Sequence, residues 1–62
     1  MKNNIRELRK SKGFTQSALA KKCNVTRQTI NAIENDRYDP TLKLAFGIAA
    51  VLGVRVDDIF KG

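Results

Sequence analysis

Sixty-two residues, 42% of them hydrophobic, suffice for one folded core and leave no room for a second, so residues 1–62 read as a single domain. With no histidine, a lone Cys23 and six carboxylates, zinc sites, internal disulfides and His-based catalysis have almost nothing to build on, and neither enzyme activity nor cofactor is expected. Twelve Lys and Arg against six Asp and Glu leave a net charge of +6, a field that favours polyanions but that a merely solvated surface would also carry, so position must decide.

Five helical segments follow one another along the chain. The first starts at Asn4, whose side chain is placed to cap while Glu7 reaches back in a capping-box pattern. Ile5 and Leu8 form its apolar stripe, and Gly13 supplies a left-handed stop. Thr15 caps the second helix, "TQSALAKKC", with Leu19, Ala20 and Cys23 on one side; Asn24 closes it, since Asn tolerates positive φ better than most residues. Thr26 caps a third helix that ends near Asn35, before the turn-rich "NDRYDP". Thr41 caps the fourth, "TLKLAFGIAAVL", which is apolar nearly all round and is therefore expected to be the central buried element, ending at Gly53. A short fifth, "VDDIF", carries two aspartates near the positive end of its dipole. No segment alternates as a strand would, so the fold class is all-α. No apolar run approaches the length of a membrane span and no signal-peptide pattern is present; with the unpaired Cys23, this makes a cytoplasmic location the expectation, without a membrane partner.

The second and third segments together read "QSALAKKCNVTRQTINAIEN". Two helices joined by a short turn make a helix-turn-helix unit, and each position has a steric reason. Ala20 is small enough for a close crossing, Asn24 takes the sharp turn, and Val25, Ile30 and Ile33 are spaced to pack back on Leu19 and Cys23.

On these residues, and on "LRKSKGFTQSALA", "NVTRQTINAIEND", "DPTLKLAFGIAAVLGV" and "VDDIF", the chain resembles the Cro and phage-repressor type of helix-turn-helix domain, the Xre family, from Ile5 to Phe60. It departs from the common pattern at Asn24, where Gly is usual, and at Arg55, where a Ser-like cap is frequent. The resemblance implies a compact five-helix bundle of the lambda-repressor-like type with a central helix-turn-helix.

At roughly 100° per residue, Ile30 and Ile33 of the third helix point inward while Gln28, Asn31 and Ala32 point away, with Arg27 on the flank of the first turn. Recognition helices meet base edges mainly with their N-terminal residues. Arg can bridge guanine O6 and N7, Gln can bridge adenine N6 and N7, and the Ala32 methyl suits a thymine methyl. Arg27, Gln28, Asn31 and Ala32 are accordingly the candidate base contacts; an ordinary solvated helix face is the alternative. The resemblance adds phosphate contacts at Gln16, Asn35 and Arg37, with Tyr38 and Lys43 as lesser candidates and hydroxyl or backbone contacts from Thr15 and Thr26. It also implies a structural ion pair between Arg9 and Glu34. Arg6, Lys10 and Lys12 are read as long-range field, Lys21 and Lys22 as solvated, and Cys23 as a small core residue.

Val54, Val56, Ile59 and Phe60 cluster at the C-terminus, and part of this patch is expected to form a two-fold homodimer interface; closure of the protomer core is the alternative. Pairing would set two recognition helices in successive major grooves about 34 Å apart on a near-palindromic operator. The function expected is sequence-specific binding of double-stranded DNA as a small transcriptional regulator, a repressor acting by promoter occupancy. The length leaves no room for a ligand-sensing domain, so no small-molecule ligand is expected. An antitoxin that binds its operator and a toxin, and a charge-driven nonspecific coat, are the alternatives.

Overall fold

The computed structural model describes residues 2–60 and contains five helices: α1 (Ile5–Ser11), α2 (Gln16–Lys22), α3 (Arg27–Glu34), α4 (Leu42–Leu52) and α5 (Val56–Ile59). Three of them start as the sequence predicts. The hydroxyls of Thr15, Thr26 and Thr41 accept from the backbone N–H of Ala18, Thr29 and Leu44, satisfying one orphan donor in each first turn.

Four helices end alike. Left-handed residues at Gly13, Asn24, Asp36 and Gly53 stop α1 to α4, with φ between 59° and 76°. In each case the next N–H reaches back to the helix: Phe14 to the Arg9 carbonyl, Val25 to Ala20, Arg37 to Ala32 and Val54 to Ala49, at 2.9–3.0 Å. This is the Schellman arrangement. Asp36 was not anticipated as a stop; its short polar side chain tolerates the left-handed region as Asn does.

The first helix departs from expectation. Asn4 makes no side-chain cap, and the reciprocal bond from Glu7 is pre-empted because the Asn4 N–H already donates to the Ile59 carbonyl at 3.0 Å. Asn3 takes over, its Oδ1 accepting from Ile5 N–H at 3.2 Å while its Nδ2 donates to the Ile33 carbonyl at 2.8 Å. Residues 3 and 60 pair as an isolated antiparallel bridge, so the two ends of the described chain are held side by side.

The core is Ile5, Leu19, Ala20, Ile30, Ile33, Ile48, Ala49, Leu52 and Ile59, one contribution or more from every helix. Leu8, Phe14, Cys23, Val25, Val54, Val56 and Phe60 pack around it. Burial pushes the Cys23 thiol pKa up, which keeps it a neutral packing group.

Two further expectations need correction. The fourth helix is not buried all round: Ala45, Ile48, Ala49 and Leu52 face the core, but Leu42 is 70% and Phe46 58% exposed. A domain this small has neighbours for only one side of an eleven-residue helix. Ile59 cannot serve a dimer interface, because it is fully buried inside the protomer; Val54, Val56 and Phe60 are half-buried. At Arg55, where no side-chain acceptor exists, the Asp58 carboxylate accepts from the Arg55 N–H at 3.1 Å and orders the start of α5. Among the described residues no helix is long and apolar enough to cross a membrane.

The left-handed stops carry a stability prediction. Asn24→Ala should lower the free energy of unfolding by about 1 kcal/mol and Asn24→Gly should leave it equal or higher, measured by urea denaturation. Equal midpoints for the Ala and Gly variants would contradict the left-handed role.

Candidate nucleic-acid interface

The helix pair α2–α3 presents its outer side to solvent, while Leu19, Ala20, Ile30 and Ile33 lock its inner side to the core. Ala20 is 2% exposed, and its carbonyl accepts from Val25 across the turn, so the start of α3 is fixed relative to the end of α2. Arg27 and Gln28 stand exposed on the first turn of α3, while Asn31 and Ala32 are half-buried one turn further on.

The candidate residues fall into distinct groups. Arg27 lines one groove with Thr15 and Gln16 from the start of α2, and Gln28 and Ala32 line another with Thr26 and Tyr38. Lys43 lines an adjoining groove that shares Thr29 and Tyr38 with the second of these. Asn35 is not gathered with the first turn. Its Oδ1 accepts from Arg6 at 3.2 Å and its Nδ2 donates to the Asn31 carbonyl at 2.8 Å, so it closes the far end of α3. Arg37 is exposed in the loop just beyond. Lys10, read from the sequence only as long-range field, and Ser17, which sequence reasoning left out, line the groove that holds Gln16 and Arg27. Ser17 follows Gln16 in the first turn of α2, a position from which its hydroxyl could have been suspected.

Behind this face lies a buried polar network. The Glu34 side chain is fully inaccessible, and the Arg9 side chain is 9% exposed. Arg9 grips the carboxylate in a bidentate fashion, Nε to Oε2 at 2.8 Å and Nη2 to Oε1 at 3.2 Å, and sends Nη1 to the Phe14 carbonyl at 3.0 Å. Arg6 Nε adds a bond to Oε1 at 3.3 Å. Arg6 is thus an anchor of α3 as well as a contributor to the field.

Gln16 joins the same carboxylate, its Nε2 donating to Glu34 Oε1 at 3.1 Å. Since an ionised carboxylate only accepts, the amide nitrogen must face Glu34, and the amide oxygen is turned toward Asn31, whose Nδ2 donates to it at 3.5 Å. The Arg9–Glu34 pair therefore does more than tie α1 to α3: it orients the amides of Gln16 and, more loosely, Asn31. The family resemblance implied the pair but not this third partner.

Burial by itself would push the Glu34 carboxyl pKa up. Hydrogen bonds from Arg9 and Gln16, the Arg9 charge and the Arg6 bond outweigh it and hold the pKa below its ordinary value. A carboxyl whose pKa is depressed by folding contributes stability that is fully present above its unfolded pKa, about 4.3, and is lost as pH falls below that toward the folded value. Acidification from pH 5 downward should thus lower the urea midpoint of the wild type more steeply than that of Glu34→Gln. At neutral pH Glu34→Ala should cost about 3–5 kcal/mol, because it strands the Arg9 charge in the interior. Parallel pH profiles for wild type and Glu34→Gln would contradict this account.

Comparison with known proteins places this geometry in a family. The helix-turn-helix family model matches residues 5–59. The chain is 55% identical over 60 residues to an uncharacterised helix-turn-helix transcriptional regulator of Methanocaldococcus jannaschii, covering 97% of this chain and 91% of that one. It is 40% identical over 55 residues to the immunity repressor of Bacillus phage phi105, covering 89% of this chain but only 38% of the repressor. Among solved structures it matches the biofilm regulator SinR of Bacillus subtilis, determined in complex with DNA, with a TM-score of 0.78, 34% identity and 84% of each chain covered. Three further similar structures are of longer chains, of which this chain spans 62% or less.

Proposed function

The chain belongs to this helix-turn-helix family, and we propose that it binds double-stranded DNA sequence-specifically as a transcriptional regulator, α3 lying in the major groove with α2 braced across it. The observation that carries this reading is the division of α3 into a buried aliphatic side, Ile30 and Ile33, and an exposed first turn bearing Arg27 and Gln28. Arg27 and Gln28 read base edges, and Ala32 offers its methyl to thymine. Asn31, half-buried and bonded to Gln16, contributes with its remaining N–H and its oxygen. Phosphates are taken by Thr15, Gln16, Thr26 and Arg37, with Tyr38 beside Gln28, Lys43 in the adjoining groove, and Asn35 acting with Arg6.

Residues 1–62 act as a single DNA-binding unit in the cytoplasm, and two copies pair on a near-palindromic operator, repressing by occupying a promoter. The antitoxin reading is not favoured: the matched relatives are transcriptional regulators and an immunity repressor. The charge-only coat would be indifferent to sequence.

Binding to a site selected from random duplex DNA tests the proposal. Arg27→Ala or Gln28→Ala should cost on the order of 1–3 kcal/mol on the selected site and flatten preference at one base pair. Arg37→Ala should weaken every sequence alike and reduce the slope of log affinity against log salt by about 1. Identical behaviour of both classes of variant would leave only the charge-driven coat.

A further inference from the structure

Asn31 differs from its neighbours on the outer side of α3 in being tethered already. Its Nδ2 donates to Gln16 Oε1 at 3.5 Å, whereas Arg27 and Gln28 are exposed and, among the described residues, their side chains make no hydrogen bond. A free side chain loses its rotamer freedom when it settles on a ligand; a tethered amide has lost part of it beforehand.

The tether also has a direction, and that direction starts at Glu34. Held below its ordinary pKa by Arg9, Gln16 and Arg6, the Glu34 carboxyl is ionised at neutral pH and can only accept. Gln16 must therefore give it an N–H, over 3.1 Å, since turning the Gln16 amide over would set Oε1 against the carboxylate. With Gln16 held that way, turning Asn31 over would set its Oδ1 against Gln16 Oε1, two acceptors with no proton between them. At 3.5 Å the last bond is long, but the repulsion in the turned-over arrangement, rather than the strength of the bond, sets the direction. Arg9 pins the carboxylate with two bonds, at 2.8 and 3.2 Å, so the origin of the relay is fixed.

What is left for a ligand is Asn31 Oδ1 beside one N–H, an acceptor next to a donor. In the major groove adenine presents the complementary pair, its N6–H and N7. Guanine presents two acceptors, O6 and N7, and would set O6 against Oδ1. An amide free to turn over could meet guanine with its N–H edge; the tether withdraws that choice. Gln16 keeps its second Nε2 N–H, which a phosphate can take without disturbing the bond to Glu34.

We propose that Asn31 reads adenine, and that Gln16 and Glu34 are positioning residues that select adenine over guanine there, Glu34 without touching DNA. This rests on the DNA-binding reading above and deepens it by naming the base and giving Gln16 a part in specificity beside its phosphate contact.

Base preference on a site selected from random duplex DNA tests the relay. Asn31→Ala should flatten preference at one base pair, where the wild type favours adenine over guanine by about tenfold. Gln16→Met, with helical circular dichroism unchanged, should weaken binding to every sequence and also cut that one preference to about twofold or less. The double variant should discriminate at this pair no worse than Asn31→Ala alone, because the two residues act as a unit. If Gln16→Met does not fold, Gln16→Ala replaces it. In the free protein, Glu34→Gln should shift the side-chain amide resonances of both Gln16 and Asn31. A Gln16 variant that binds every sequence more weakly but keeps the adenine preference reduces Gln16 to a phosphate contact and overturns the proposal. So does guanine at the Asn31 pair, or an Asn31→Ala variant with every preference intact; either leaves DNA binding standing. A wild type that selects no sequence at all overturns both readings.

Discussion

The buried Glu34 carboxylate is the constraint from which the arrangement of the exposed α2–α3 face follows. Removed from water, an ionised carboxylate must be surrounded by donors, and Arg9, Gln16 and Arg6 supply them from two different helices. The carboxylate accepts only, so the direction of each neighbouring hydrogen bond is dictated in turn. Gln16 presents its nitrogen inward and its oxygen to Asn31. A charge in the interior thereby sets the polarity of amides at the edge of the exposed α2–α3 face.

That polar anchor works because hydrophobic packing has already set the helices. Ala20 lets α3 cross α2 closely, and Ile30 and Ile33 bury one side of α3 completely, which leaves the opposite side no choice but solvent or a ligand. The left-handed stop at Asn24 reverses the chain within the length of a turn. The same stop at Gly13, Asp36 and Gly53 lets helices of only seven to eleven residues terminate with satisfied carbonyls. Helices that short have little stability alone, so their order reflects the shared core.

The surface divides by chemistry. Around α2 and α3 lie Arg27, Lys10, Gln16 and Ser17, groups suited to phosphates and base edges. Along α4 and before α5 lie apolar side chains edged by one basic and one acidic residue, suited to protein. A strongly cationic chain needs such a segregation if it is both to attract DNA and to tolerate a second copy of itself.

Helix order, the threonine caps, the stops at Gly13, Asn24 and Gly53, the inward aliphatics of α3 and the outward placement of Arg27 and Gln28 were all legible in the residues, because each depends on local backbone chemistry or on the 3.6-residue period. Long-range partners were not. Asn4 loses its capping box because its N–H is taken by Ile59, fifty-five positions away; Gln16 turns out to share Glu34 with Arg9; and Leu42 and Phe46, apolar in a strongly apolar helix, face outward because the domain has nothing to set against that side. Periodicity says that a helix has a face, but which neighbour covers it, and whether any does, is a competition between distant segments for a small amount of buried surface, and only the assembled structure decides it.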